Sequence, residues 1–145
     1  MNHRLTALAA ASCLTLLAGT AAAQTAGNPE QGKRLYGRCI ACHTLDEGKH
    51  RVGPSLFDIF GATAGQVKGY RYSASLVAAG KKGLKWDTKS LVAYLADPRK
   101  FTQTYLEDPK ATSKMVFRMP NEQQRLDIAA YLEAETSKQG AKDGK

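Results

Sequence analysis

Along the chain, apolar positions recur at helical spacing in a few short stretches, and nowhere do they alternate long enough to make a strand. The clearest stretch is "NEQQRLDIAAYLEAE", where Leu126, Ile128, Ala129 and Leu132 form one apolar side. Asn121 is placed to cap that helix, and Gln124, three residues on, completes a capping-box pattern. "WDTKSLVAYLADP" follows the same logic. Asp87 caps it, Leu91, Val92, Tyr94 and Leu95 supply the apolar face, and Pro98 ends it. A first helix opens at Asn28, with Pro29 at the first helical position and Gln31 completing another capping box, and runs to about Cys39. "YSASLVAAG" predicts a short helix stopped by Gly80.

The intervening segments lack this period. Residues 44–69 read as loop, punctuated by Gly48, Gly53, Pro54, Gly61, Gly65 and Gly69. "RKFTQTYLEDPKATSKMVFRMP" reads as mostly irregular, with a turn or two at "FTQTYLED", and the polar tail 136–145 is expected to fray. No repeat or linker divides the chain. The result is an all-α expectation with a difficulty attached: short helices and glycine-rich loops bury little apolar surface, so the fold needs a staple or a large buried ligand.

The first residues stand apart from this pattern. "MNHRLTALAAASCLTLLAGTAAAQ" has a short basic start, an apolar run and Ala21-Ala22-Ala23, which reads as a signal peptide over residues 1–23, cut after Ala23. The run is too short for a membrane anchor. Lipid attachment at Cys13 is a poor match, because the cysteine comes too early and its preceding residues are wrong, so Cys13 is expected to leave with the leader. The domain is then 24–145, placed in the periplasm. It keeps only Cys39 and Cys42, in a compartment where a lone pair could form a disulfide. Hydrophobic residues at 43% and charged residues at 23% are ordinary for a globular domain. With Arg4 removed, 20 basic residues face 13 acidic ones, which suits an acidic partner. Export argues against nucleic acid.

"CIACH", Cys39 to His43, decides among the chemistries open to two cysteines at this spacing. A thioredoxin-like dithiol needs a βαβ context that the pattern lacks. Zinc needs four ligands, and beyond the motif only His50 and carboxylates remain. Covalent haem attachment needs just these five residues. Each thiol adds across one vinyl group, the two-residue gap lets both sulfurs reach the same side of the macrocycle, and His43 lies beneath the iron. The other ring N–H of His43 needs an acceptor, for which "VGPSL" (Val52 to Leu56) is the natural supplier. For the sixth position no suitable histidine remains, since His50 is too close to His43. Met115 and Met119 are the thioether candidates, and one of them is expected to be core filler.

Taken in order, "GKRLYGRCIACHT", "RVGPSLFDIFGATAGQ", "GYRYSASL", "LKWD", "LVAYLADPRKF", "KMVFRMP" and "RLDIAAYL" resemble class I cytochrome c, with the bacterial cytochrome c2 and mitochondrial-type group the nearest in look. The resemblance spans Asn28 to Leu132. It implies an all-α fold around one haem c, the first and last helices crossing with Gly32 and Tyr36 against Tyr131. It also implies Met115 as the axial thioether, from "KMVF", with Met119 left to the core. By the same resemblance Pro54 supplies the carbonyl for His43, Tyr72 and Trp86 serve the haem propionates, Tyr94 lies near the axial sulfur, and His50 pins a loop. Two departures stand out: Ala62 occupies the place of an expected arginine, and the chain between Phe101 and Met115 is longer than in mitochondrial forms.

The function implied is one-electron transfer by a soluble, monomeric periplasmic protein without an anchor. Its partners would be a cytochrome bc complex as donor and a terminal oxidase, photosynthetic reaction centre or reductase as acceptor. Arg34, Arg38, Lys49, Arg51, Arg99, Lys100, Lys110, Lys114 and Arg118 would form a basic rim that steers acidic surfaces. The alternative is a haem enzyme or gas-binding protein with a labile sixth ligand, which the available methionines disfavour. A bound subunit of a larger oxidase is a third reading.

Overall fold

The structure, a computed structural model, describes residues 26–143, with side chains described through residue 139. The expected leader, its cleavage site and Cys13 lie outside those residues. Five α-helices follow one another: α1 Pro29–Leu35, α2 Ala74–Lys81, α3 Thr88–Ala96, α4 Pro98–Leu106 and α5 Glu122–Asp143. A 3₁₀ turn, Tyr36–Arg38, carries α1 toward the cysteines. Among the described residues the only extended pairing is an isolated bridge between Thr63 and Lys85.

Local chemistry explains most helix ends. Asn28 accepts hydrogen bonds from the backbone N–H groups of Glu30 and Gln31, and Asp87 forms a complete capping box with Ser90. Asn121 caps α5 by accepting from Gln124 N–H at 3.0 Å. The two glutamine capping boxes, however, are replaced by longer-range contacts. The Asn28 N–H donates to Asp127 Oδ1 at 2.8 Å, and Gln124 Oε1 accepts from Arg38 at 3.4 Å. These bonds tie the first helix and the turn after it to α5 instead of closing each helix on itself.

Three helix expectations need correcting. Gly80 does not stop α2 but lies inside it, where a Cβ would fall 2.0 Å from the Ala64 carbonyl oxygen. The helix ends one residue on, at Lys81, with Lys82 as its C-cap before Gly83 at φ +103°. The segment after Pro98 is a nine-residue helix, not mostly irregular chain, because Pro98 both ends α3 and opens α4 at a first-turn position with Asp97 as its cap. The tail expected to fray from 136 continues α5 to Asp143. Thr136 Oγ1 accepts from Phe60 N–H and Gln139 Oε1 from Asp58 N–H.

The core sits where α1, α3 and α5 meet, with α2 against α4 on the flank. At the α1–α5 crossing, a Cβ on Gly32 would lie 2.0 Å from the Asp127 carbonyl oxygen, so only glycine lets the two backbones approach. Beside it the Tyr36 and Tyr131 rings pack with centroids 5.5 Å apart. The longer segment before Met115 is docked on the flank: Lys82 Nζ bonds Glu107 Oε1 at 2.9 Å, and Thr112 N–H donates to Ser75 Oγ at 3.0 Å. This fold places the "CIACH" turn after α1 and the methionine segment before α5, with Cys39 and Met115 both packed on the core.

Candidate functional site

The cysteine turn is built by backbone bonds. Cys39 N–H closes on Tyr36 O at 2.7 Å, and His43 N–H reaches back to Cys39 O at 2.9 Å. Cys39 is half-buried and Cys42 exposed, and both thiols are free, so the disulfide open to such a pair is not formed. Burial, only partly offset by Arg38, pushes the Cys39 thiol up to about 11. The loop that follows then folds over the histidine: Gly53 N–H donates to Cys42 O and Leu56 N–H to Thr44 O, both at 2.8 Å.

That loop brings Pro54 to His43. The ring Nδ1 lies 2.7 Å from the Pro54 carbonyl oxygen, and because a carbonyl can only accept, the proton is on Nδ1. Nε2 is thereby left with its lone pair, in the tautomer a metal ligand needs. Burial lowers the His43 pKa against the opposing pull of that bond, which keeps the ring neutral. Gly53 is a positioning residue that sequence reasoning passed over. A Cβ there would sit 2.4 Å from His43 Cε1, so the loop can cover the ring only with glycine at this point. The adjacent Gly53-Pro54 pair was its available signal.

His50 bridges two loops. Its Nδ1 accepts from Ser55 N–H at 3.1 Å, leaving Nε2–H to donate to Lys68 O at 2.9 Å. Tyr70 adds a further tie, its hydroxyl donating to Val52 O at 2.7 Å.

The two methionines are in different surroundings. Met119 is fully buried at 0% exposure, and its N–H donates to Leu95 O at 2.8 Å. Arg125 donates to the carbonyls of Met119 and Pro120, fixing the turn into α5. Met115 is only half-buried against the core, and Ser113 Oγ brackets its backbone. That hydroxyl donates to Met115 O at 3.1 Å and accepts from Met115 N–H at 3.2 Å. Tyr94 joins the same hydroxyl, donating to Ser113 Oγ at 3.1 Å. Ser113, which the sequence did not single out, is thus the link between Tyr94 and the Met115 segment. Burial raises the Tyr94 pKa, so its hydroxyl keeps its proton.

The remaining expected residues lie between these two segments in the chain and pack through their rings. Trp86 meets Tyr94 edge-on at 5.0 Å, and Tyr72 meets Tyr70 at 4.8 Å. Burial pushes the Tyr72 hydroxyl up to about 12. Ala62, in the place of the expected arginine, contributes only backbone, its carbonyl accepting from Trp86 N–H at 3.0 Å. Lys114 donates to Arg71 O and lies over the Tyr70 ring, and Arg38 lies over Phe117. These contacts fasten the methionine segment to the loops on either side.

The residues fit a covalent haem. Two free thiols stand beside a neutral imidazole with an open Nε2. Cys39, Leu45, Leu56, Tyr72, Met115 and Phe117 pack on the core yet stay only partly covered, a surface that a large flat apolar group would complete. Among the described residues no three His, Cys, Asp or Glu side chains converge as a metal cage, which leaves the zinc reading without ligands.

Known proteins agree with this chemistry. The cytochrome c family model matches residues 29–135. Cytochrome c2 iso-1 of Rhodospirillum centenum is 41% identical over 113 residues, 73% of this chain and 94% of that protein. Cytochrome c2 of Rhodopseudomonas palustris is 44% identical over 108 residues, covering 70% and 93%. The solved structure of cytochrome c2 from Rhodospirillum centenum superposes with a TM-score of 0.71 at 39% identity, over 74% of this chain and 98% of that one. The chain therefore belongs to the class I cytochrome c family, in its cytochrome c2 group, and is an electron-transfer cytochrome with one covalently attached haem c.

Proposed function

We propose that this protein is a soluble, monomeric periplasmic carrier that takes single electrons from a cytochrome bc complex. It delivers them to a terminal oxidase, a photosynthetic reaction centre or a reductase. Cys39 and Cys42 would hold the haem through thioether bonds, His43 and Met115 would supply the two iron ligands, and Tyr72 and Trp86 would serve the propionates. The chemistry such a haem would supply is one-electron oxidation and reduction at its iron. The observation that carries the reading is the His43 ring, fixed and neutral on the Pro54 carbonyl beside two free thiols.

The chain's own residues do the rest. Pro54 and Gly53 hold the imidazole in one orientation, so the donor does not rearrange when the charge on the iron changes. Met115 offers a soft, neutral thioether in place of an open position, which suits a carrier and leaves no place for a substrate. No catalytic residue is proposed. The nine cations of the expected rim are all exposed, and Ile40, Val52 and Val116 are exposed apolar residues close to them in sequence. Such a surface attracts an acidic partner at long range and releases it quickly. The leader pattern read over residues 1–23 supports export, and among the described residues no helix is long and apolar enough to cross a membrane.

The test is turnover with membranes containing a quinol-oxidising cytochrome bc complex. Reduction of the purified holoprotein whose rate falls steeply with added salt is expected. Failure to be reduced, or sustained turnover of peroxide by the protein alone, contradicts the reading.

A further inference from the structure

Resting on Met115 as the sixth ligand, we propose that Asp97 and Arg118 form an ionic clamp that holds the Met115 segment closed against the α3–α4 corner. Both are positioning residues for the axial thioether. Three links join this segment to the corner. Tyr94 reaches Ser113, Met119 N–H reaches Leu95 O, and Arg118 Nη2 lies 3.1 Å from Asp97 Oδ2. The first two are a neutral hydrogen bond and a backbone bond beneath a buried side chain. Only the third is charged and open to solvent, its side chains 59% and 30% exposed.

Asp97 is well suited to the task because its two oxygens are divided between two duties. Oδ1 accepts from Lys100 N–H at 3.0 Å and caps α4, which leaves Oδ2 aimed at Arg118. Asp97 is thus fixed by the helix it starts. Arg118 stands three residues after Met115 and one before the anchored Met119. Between Ser113 and Arg118 the chain lines a cleft of about 240 Å³ shared with Asp97 and Pro98, and Met115 is part of its wall. Val116 beside it is 86% exposed and adds nothing to the partial burial of Met115 and Phe117 against the core. With the cleft open on the outside, opening of the segment must break the Asp97–Arg118 pair, whereas global unfolding must uncover Met119.

An exposed pair of this kind contributes little to overall stability and is screened by salt. Its effect should therefore appear in local opening. In the ferric holoprotein, Asp97→Asn and Arg118→Gln are each expected to raise the opening-limited rate of imidazole binding by about two- to fivefold. Exchange of the Met115 amide hydrogen, held on Ser113 Oγ within the segment, should accelerate by the same factor, while that of Met119 should not. The thermal midpoint should barely move, since asparagine caps α4 as well as aspartate does. The double variant should open no faster than either single one, and in about 1 M salt the unaltered protein should approach the variants.

Single variants that open at the unaltered rate overturn the clamp, as do effects that add in the double variant or persist unchanged in high salt. Met115→Ala separates this failure from failure of the ligand reading. A far-red absorption band that survives that substitution overturns Met115 as ligand, and with it the clamp's role toward the iron. Loss of the band together with faster Met115 amide exchange in both clamp variants supports the proposal.

Discussion

His43 and Met115 lie in segments that are stabilised in different ways. Around His43 a run of backbone hydrogen bonds forms the frame, from the turn Tyr36 through His43 to Gly53 on Cys42 and Leu56 on Thr44, with His50 and Tyr70 adding side-chain ties. The ring is positioned by a carbonyl and by the absence of a side chain at Gly53. Around Met115 the work is done by side chains, through Ser113, Tyr94, Arg118 and the buried Met119. Backbone bonds within a short loop break together or not at all, whereas side-chain ties can be released one at a time. The histidine segment is therefore expected to stay closed, and the methionine segment to be the one that opens locally.

Substitutions can break or sharpen that contrast. Met119→Ala should have the largest effect, a loss of about 2–5 kcal/mol in denaturant unfolding, because a fully buried thioether side chain is removed. Its far-red band should nevertheless remain in the folded fraction. Gly53→Ala attacks the other face. The new methyl meets the His43 ring, and a loss of about 1–3 kcal/mol is expected from overpacking, with the His43 resonances displaced in the NMR spectrum. An unshifted histidine in a protein of full stability would show that the loop yields easily and that the face is not rigid.

Tyr36→Phe should act in the opposite direction. The Tyr36 hydroxyl is buried without a partner, and burial pushes its pKa up to about 12. Removing it should raise stability by about 1 kcal/mol in the same unfolding measurement. Tyr94→Phe is expected to give a change of similar size, a loss of about 0.5–1.5 kcal/mol, since the phenylalanine keeps the ring contacts with Trp86 and Phe101 and loses only the bond to Ser113. If the contrast holds, that substitution also speeds imidazole entry at the methionine face while leaving the His43 resonances in place.

The sequence was most legible where the physics is local. Asn28, Asp87 and Asn121 each cap a helix within three residues of themselves, and all three are found doing so. Pro98 was read only as a terminator, although the same fixed φ that ends α3 is suited to starting α4. Phe101, Tyr105 and Leu106 already carried a helical spacing that the surrounding polar residues obscured. Gly80 and the tail beyond residue 135 were misread for another reason. What holds them is Ala64, Asp58 and Phe60, distant partners that no window along the chain contains. The site divides in the same way. "CIACH" and the glycine-proline pair after it are contiguous motifs, while Ser113 and the Asp97–Arg118 pair exist as features only once α3, α4 and the methionine segment have met.

The most direct measurement is the far-red absorption of the ferric holoprotein in Met115→Ala and Met119→Ala compared side by side. The account predicts that the band vanishes in the first, with the haem still covalently bound, and persists in the second despite its lower stability. A band retained in Met115→Ala and lost in Met119→Ala would contradict it.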